Sequence, residues 1–161
     1  MKKTNKNGFT LIELLAVISI LAIIAVIATP NIVNMVDNGK KQQFVADASD
    51  FASKALYKYK FEKYESLFTV NNNCKTITLN NIGIETKTDP DGNNYDLNNS
   101  LVKICEEEVN GINTRKSYIL LKSIAKKEKK ARGIFDNTKE DKMVDIENLT
   151  QKNVLDLSEL D

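Results

Sequence analysis

Glu13 is the only charged residue in the apolar stretch 9–28, where Leu, Ile, Val and Ala predominate. An ionised acid in a bilayer costs about 2.5 to 3.5 kcal/mol near the centre and less toward the edge, so it demands a partner. None is evident within the run; the nearest candidate is a new amino group, created if the chain were cut between Gly8 and Phe9. A second cluster is Asp89-Pro90-Asp91-Gly92-Asn93-Asn94-Tyr95-Asp96, whose Asp89, Asp91, Asn93 and Asp96 supply the hard oxygens calcium prefers. Its glycine is misplaced for an EF-hand and Ser100 falls where a bidentate Glu would be required; the same residues are also a strong turn signal. A third candidate is the cysteine pair, Cys74 and Cys105. Outside the cytoplasm they could form a disulfide, closing a loop for about 3 to 4 kcal/mol, or they could pack as two reduced, buried thiols. The chain has no His, hence no imidazole base, and no recognisable nucleophile motif or phosphate-binding glycine loop. These residues do not describe an enzyme.

The elements that must position these groups follow from periodicity. As a helix, residues 9–28 would be roughly 30 Å long, the thickness of the hydrocarbon core of a bilayer. Lys2, Lys3 and Lys6 precede it, which keeps the amino end cytoplasmic and sends the rest of the chain outward. Beyond it, Phe44, Ala48, Phe51, Ala55 and Tyr59 recur at helical spacing with polar residues between them, predicting an amphipathic helix. From Phe9 to about Tyr64 the pattern reads as one long helix, with a bend or local melting at Pro30 and Gly39. Strands are expected at residues 74–79, 101–105 and 118–124, with a short continuation at 82–84 and a turn around Asn110 and Gly111. One long helix followed by a few strands is an α+β layout, with the sheet covering the helix stripe.

The resulting division is a leader at 1–8, a transmembrane helix at 9–29, its amphipathic continuation at 30–65, a small sheet domain at 66–135 and a loosely ordered acidic tail at 136–161. If Cys74 begins one strand and Cys105 ends another, a bridge would fasten the edge of the sheet across the Asp89 turn. The basic run Lys126, Lys127, Glu128, Lys129, Lys130, Ala131 and Arg132 is a solvated face or a patch for anionic polymers or lipid heads. Overall charge selects no partner: Lys plus Arg number 23 against 22 Asp plus Glu. Nucleic-acid binding gains no support. Loss of the three leader lysines would move the formal balance from +1 to −2.

Gly8-Phe9-Thr10-Leu11-Ile12-Glu13-Leu14-Leu15, the apolar run and Pro30 together resemble the amino terminus of type IV prepilins and type II secretion pseudopilins. The resemblance implies that a prepilin peptidase cuts after Gly8 and N-methylates Phe9. It implies that Glu13 pairs with a neighbour's amino terminus and sets the register of a filament, and that Pro30 softens the helix. The implied fold is pilin-like. The implied partners are other pilin or pseudopilin subunits, an assembly platform protein and its ATPase, and the implied location is the membrane, then the cell surface or a filament. Adhesion, motility, DNA uptake and protein secretion all use such subunits. Asp89 to Tyr95 also resembles an Asp-Pro-x-Gly-Asn-x-Tyr segment of major pseudopilins, whose sheet region can bind calcium, although Asp91 stands where that family has tryptophan. Two other readings remain. One is a secretory signal peptide cut after Val26-Ile27-Ala28, which leaves Glu13 unexplained. The other is a monomeric, membrane-tethered extracytoplasmic binding protein.

Overall fold

A computed structural model describes residues 8–61, 69–71, 73–84, 88–126 and 130–160. Helix α1, Leu11–Lys60, is its longest element, and the chain divides into two compact units between Asn38 and Gly39. In the first unit the apolar residues of α1 are exposed all round, and Ser19 and Thr29 satisfy their hydroxyls by donating to the carbonyls of Leu15 and Ala25. That is the means by which a hydroxyl is tolerated on an apolar helix. The local melting expected at Pro30 and Gly39 is not found: both lie inside a single helical span. The expected extension toward Tyr64 stops at Lys60, and residues 62–68 lie outside the described residues.

In the second unit α1 is one-sided. Phe44, Ala48, Phe51, Ala52 and Ala55 are buried, which is the stripe expected from their spacing. They share a core with Ile77, Val102, Ile104, Ile119 and Val144 of an antiparallel sheet ordered β1-β2-β4-β5-β8. Its strands are β1 Thr69–Asn71, β2 Cys74–Thr78, β4 Leu101–Val109, β5 Ile112–Leu120 and β8 Val144–Asp145. Val102 and Ile104 face the core while Lys103 between them pairs with Asp141, the period-two alternation of a half-buried strand. β4 and β5 meet through Asn110 and Gly111, whose φ values of 55° and 78° belong to the two-residue turn that matches strand twist. The chain is therefore an α+β protein with a pilin-like layout: one long amino-terminal helix and a small antiparallel sheet packed on its second half.

Three expectations fail in detail. Residues 82–84 do not continue a strand: α2, Leu79–Ile82, is a short helix ended by Gly83 in the left-handed conformation, φ 77°. The strand expected at 118–124 belongs to two elements, because β5 ends at Leu120 and β6, Ser123–Ile124, pairs instead with β3, Asn94–Tyr95. The acidic tail is not loosely ordered. It contributes β8, short 3₁₀ turns and β9, Val154–Asp156, which pairs with β7, Arg132–Ile134, and it buries Met143, Val144 and Val154. Several of its acids and polar residues act locally, with Asp136 accepting from Thr138, Asp145 from Glu147, and Thr150 and Asn153 capping one another. Composition counted those groups as repulsive charge, whereas the fold uses them as turn caps. Gly133 is fixed by close approach: a Cβ there would lie 2.3 Å from the carbonyl oxygen of Leu121, where β7 bridges to that residue.

Candidate functional site

Gly8, Phe9 and Thr10 form a non-helical lead-in to α1, and Phe9 is 91% exposed. Among the described residues, no atom lies within 4 Å of a Cβ added at Gly8. The described residues therefore give no packing reason for a glycine at this position.

Thr10 begins the helix, with Leu14 N donating to its carbonyl at 3.2 Å. The Thr10 backbone N–H and hydroxyl both donate to Glu13 Oε2 at 2.8 Å, while Glu13 N donates to Thr10 Oγ1 at 3.3 Å. This reciprocal arrangement is a capping box, and it satisfies amide groups that a helix start otherwise leaves bare. It corrects the expectation that Glu13 finds no partner within the run. The signal was legible as Thr10-x-x-Glu13.

Beyond the cap, α1 has a mean hydropathy of 3.0 over an 18-residue window and none of that window is buried by the rest of the chain. Exposure of Leu14, Leu15, Val17, Ile18, Leu21, Ile24 and Ile27 is 51% or more. By length and composition this segment can cross a membrane, and together with the charge pattern it makes a single-pass anchor.

The calcium candidates are brought into one loop, where each makes bonds to protein while Asp89 Oδ2 is buried with no partner among the described residues. Asp89 is buried, and its Oδ1 accepts from the amides of Asp91 at 2.9 Å and Asn93 at 2.8 Å. Asp91 takes two bonds from Arg132, at 2.7 and 2.8 Å, and an ion pair from Lys40 at 3.1 Å. Burial acts to raise the Asp91 carboxyl, but Arg132 and Lys40 outweigh it and hold the group below the usual carboxylate range. Asn93 is fully buried and clamps both ends of the basic segment: its Nδ2 donates to the Lys130 carbonyl at 2.9 Å, and Lys126 N donates to its Oδ1 at 3.2 Å. Asp96 caps the turn at Asn99. Among the described residues no three His, Cys, Asp or Glu side chains group to hold a metal. The geometry is that of a turn pinned to α1.

The same pinning includes a contact that sequence reasoning missed. The Tyr95 hydroxyl donates to Asp47 Oδ2 at 2.6 Å, and its ring meets Phe44 and Phe51 edge-on. Burial, followed by the bond to Asp47, pushes this hydroxyl far above its ordinary pKa. No local sequence signal links two residues on separate elements.

Cys74 and Cys105 are joined as a disulfide, with Cα atoms 4.0 Å apart and directly opposed in the β2–β4 register. Glu106 N bonds the Asn73 carbonyl beside them, which places the cysteines at a non-hydrogen-bonded pair, where opposed residues approach most closely. The bridge does not fasten the sheet's edge, since β1 lies outside β2, and Cys105 stands in the middle of β4 rather than at its end. Of the basic run, Lys127, Glu128 and Lys129 lie outside the described residues, as do Lys2, Lys3 and Lys6. Of the described residues of the run, Lys130 reaches Asp156 at 3.3 Å and Arg132 is held by Asp91.

Residues 3–29 match the model of the prokaryotic N-terminal methylation motif. No curated protein and no solved structure matches the chain. The matched residues contain Gly8, Phe9, the Thr10–Glu13 cap and the exposed apolar helix, so the chain carries the amino-terminal signature of type IV prepilins and pseudopilins.

Proposed function

We propose that this chain is a type IV pilin-like structural subunit, cut between Gly8 and Phe9 by prepilin peptidase, N-methylated on Phe9, and assembled through α1 into a filament. The observation that carries the reading is the match to the methylation motif at the head of a helix whose apolar surface the described residues leave uncovered. A glycine with no packing reason among the described residues fits recognition by a processing enzyme. Phe9 in an exposed, non-helical lead-in is open to cleavage and methylation. The uncovered residues of α1 are first held by lipid and then by the same helix in neighbouring subunits, through close van der Waals packing.

Glu13 sets the register of that packing. Its Oε2 holds the Thr10 cap, and its remaining oxygen receives the amino terminus of a neighbour, so a mis-stacked subunit leaves the charge bare in an apolar surround. The assembly platform and ATPase that would extract the subunit act from the cytoplasmic side, where the leader lysines stay. The outer domain then lies on the extracytoplasmic face or along the filament. No catalytic role is assigned to it.

The test is Glu13→Ala in a cell that expresses the assembly machinery. The variant should still be cut after Gly8 and stay in the membrane, yet be lost from sheared filaments in microscopy and pull-down. Normal assembly of the variant overturns the register role. If the unaltered chain also stays monomeric under crosslinking between positions 14 and 28, it acts instead as a membrane-tethered binding protein.

A further inference from the structure

The chain contains three Asn-Gly dipeptides, at Asn7-Gly8, Asn38-Gly39 and Asn110-Gly111, and one Asp-Gly, at Asp91-Gly92. Sequence alone marks all four for succinimide chemistry, because a following glycine leaves its amide nitrogen unshielded. The structure separates the three that fall within the described residues.

Asn38 is exposed, but Asn38 and Gly39 lie inside α1, where the Gly39 amide belongs to the helical ladder and can attack only if the helix opens internally. Asp91 has its carboxylate fixed by Arg132 and Lys40. Asn110 and Gly111 are both exposed at the tip of the β4–β5 hairpin. Strand pairing closes at Val109 and Ile112, which leaves the Gly111 amide outside the ladder. A Cβ at Gly111 would meet nothing within 4 Å, and the Asn110 side chain has no hydrogen-bond partner among the described residues. Opening a hairpin tip disturbs only the end of one ladder, the low-stability limit of local unfolding.

We propose that Asn110-Gly111 is a site of spontaneous deamidation in the folded chain, and that Asn38-Gly39 is protected. The Gly111 amide nitrogen loses its proton and bonds to Asn110 Cγ. The Cγ–Nδ2 bond breaks, ammonia leaves with that proton, and a five-membered succinimide remains. Water then opens the ring at Cγ to give aspartate, or at the Asn110 backbone carbonyl to give isoaspartate. No oxidant or reductant takes part. Either product adds a negative charge to a hairpin end that already carries Glu106, Glu107 and Glu108. Aspartate preserves the turn, since Asp-Gly suits the same two-residue loop. Isoaspartate inserts a methylene into the loop that sets strand register, and frays the tip.

The experiment is a time course on the full chain in detergent at mildly alkaline pH, read by peptide mapping of the amide-to-acid mass gain at Asn110 and Asn38. A parallel sample is held in denaturant. In denaturant both sites should convert at similar rates; in the folded chain Asn110 should convert while Asn38 is retained. Gly111→Ala should abolish the gain at Asn110, and Asn110→Gln should do so without altering the glycine if Ala strains the turn. Retention of Asn110 in the folded chain over a period in which the denatured chain converts overturns the proposal, as does conversion of Asn38 as fast as Asn110.

Discussion

Helix α1 carries two apolar surfaces with opposite fates. Ile18, in the middle of the membrane segment, is 56% exposed, whereas Phe44 is 0% exposed. The first surface is left uncovered by the described residues and runs all round the helix; the second is a single stripe sealed by the sheet. Burial within the chain stabilises the fold, while apolar area left uncovered on this scale calls for lipid or other subunits. The two halves of one helix thus separate what holds the domain together from what the domain is attached for.

The largest expected effect breaks the sealed half. Phe44→Ala should destabilise the outer domain by about 3 to 5 kcal/mol, since it removes a fully buried aromatic and leaves a cavity. Ile18→Ala should leave the domain's denaturant midpoint unchanged. Equal shifts in the two variants, measured by near-ultraviolet circular dichroism in detergent, would erase the distinction between the surfaces.

Next in size is the bridge between β2 and β4. Cys74 and Cys105 are separated by 31 residues, and opening a loop of that length costs about 3 to 4 kcal/mol in the chain-entropy model. Reductant, or Cys74→Ser with Cys105→Ser, should lower the melting temperature of the outer domain. Free-thiol counting before reduction should find none, and two reactive thiols with no thermal shift would leave the cysteines as mere packing.

A smaller loss is expected for Gly133→Ala. Its Cβ would collide with the Leu121 carbonyl oxygen, and the backbone shift needed to relieve that contact costs roughly 1 to 3 kcal/mol. Gly39→Ala, by contrast, meets nothing and should stabilise the helix by about 1 kcal/mol. A denaturant titration of the pair would show whether close approach or helix propensity governs each glycine.

These contrasts also mark what was legible in the residues themselves. The buried stripe could be read because Phe44, Ala48, Phe51 and Ala55 lie on one element and obey one period. The β4–β5 turn could be read because Asn110-Gly111 encodes its own backbone conformation. The partners of Asp91 in the Asp89 to Asp96 loop could not be read, for the opposite reason. Oxygen-rich residues were visible locally, but Lys40 and Arg132, which occupy Asp91, arrive from α1 and β7. The tail was misjudged because composition does not reveal that Asp136 and Asp145 accept from backbone amides two residues ahead. Cysteine pairing was legible as a question only, since which strands adjoin is a property of the assembled sheet.

The smallest expected effect is on pH dependence. The Asp91 carboxyl titrates below its unfolded value because of Arg132 and Lys40. Its contribution is therefore fully present above the unfolded carboxylate pKa and is lost as pH falls through the lowered folded value. Asp91→Asn should lower stability at neutral pH and flatten the acid limb of the stability profile. An unchanged acid limb would remove Asp91 from the set of groups that pin the turn to α1.

The central claim is that the uncovered half of α1 is the processed, assembling end of a pilin-like subunit. Intact-mass spectrometry of the chain extracted from membranes of cells that hold a prepilin peptidase tests it most directly. The expected product is a mature chain that begins at Phe9 and carries one added methyl group on its amino terminus. A chain that still begins at Met1, or one that begins at Thr29 after an ordinary signal-peptide cut, would contradict it.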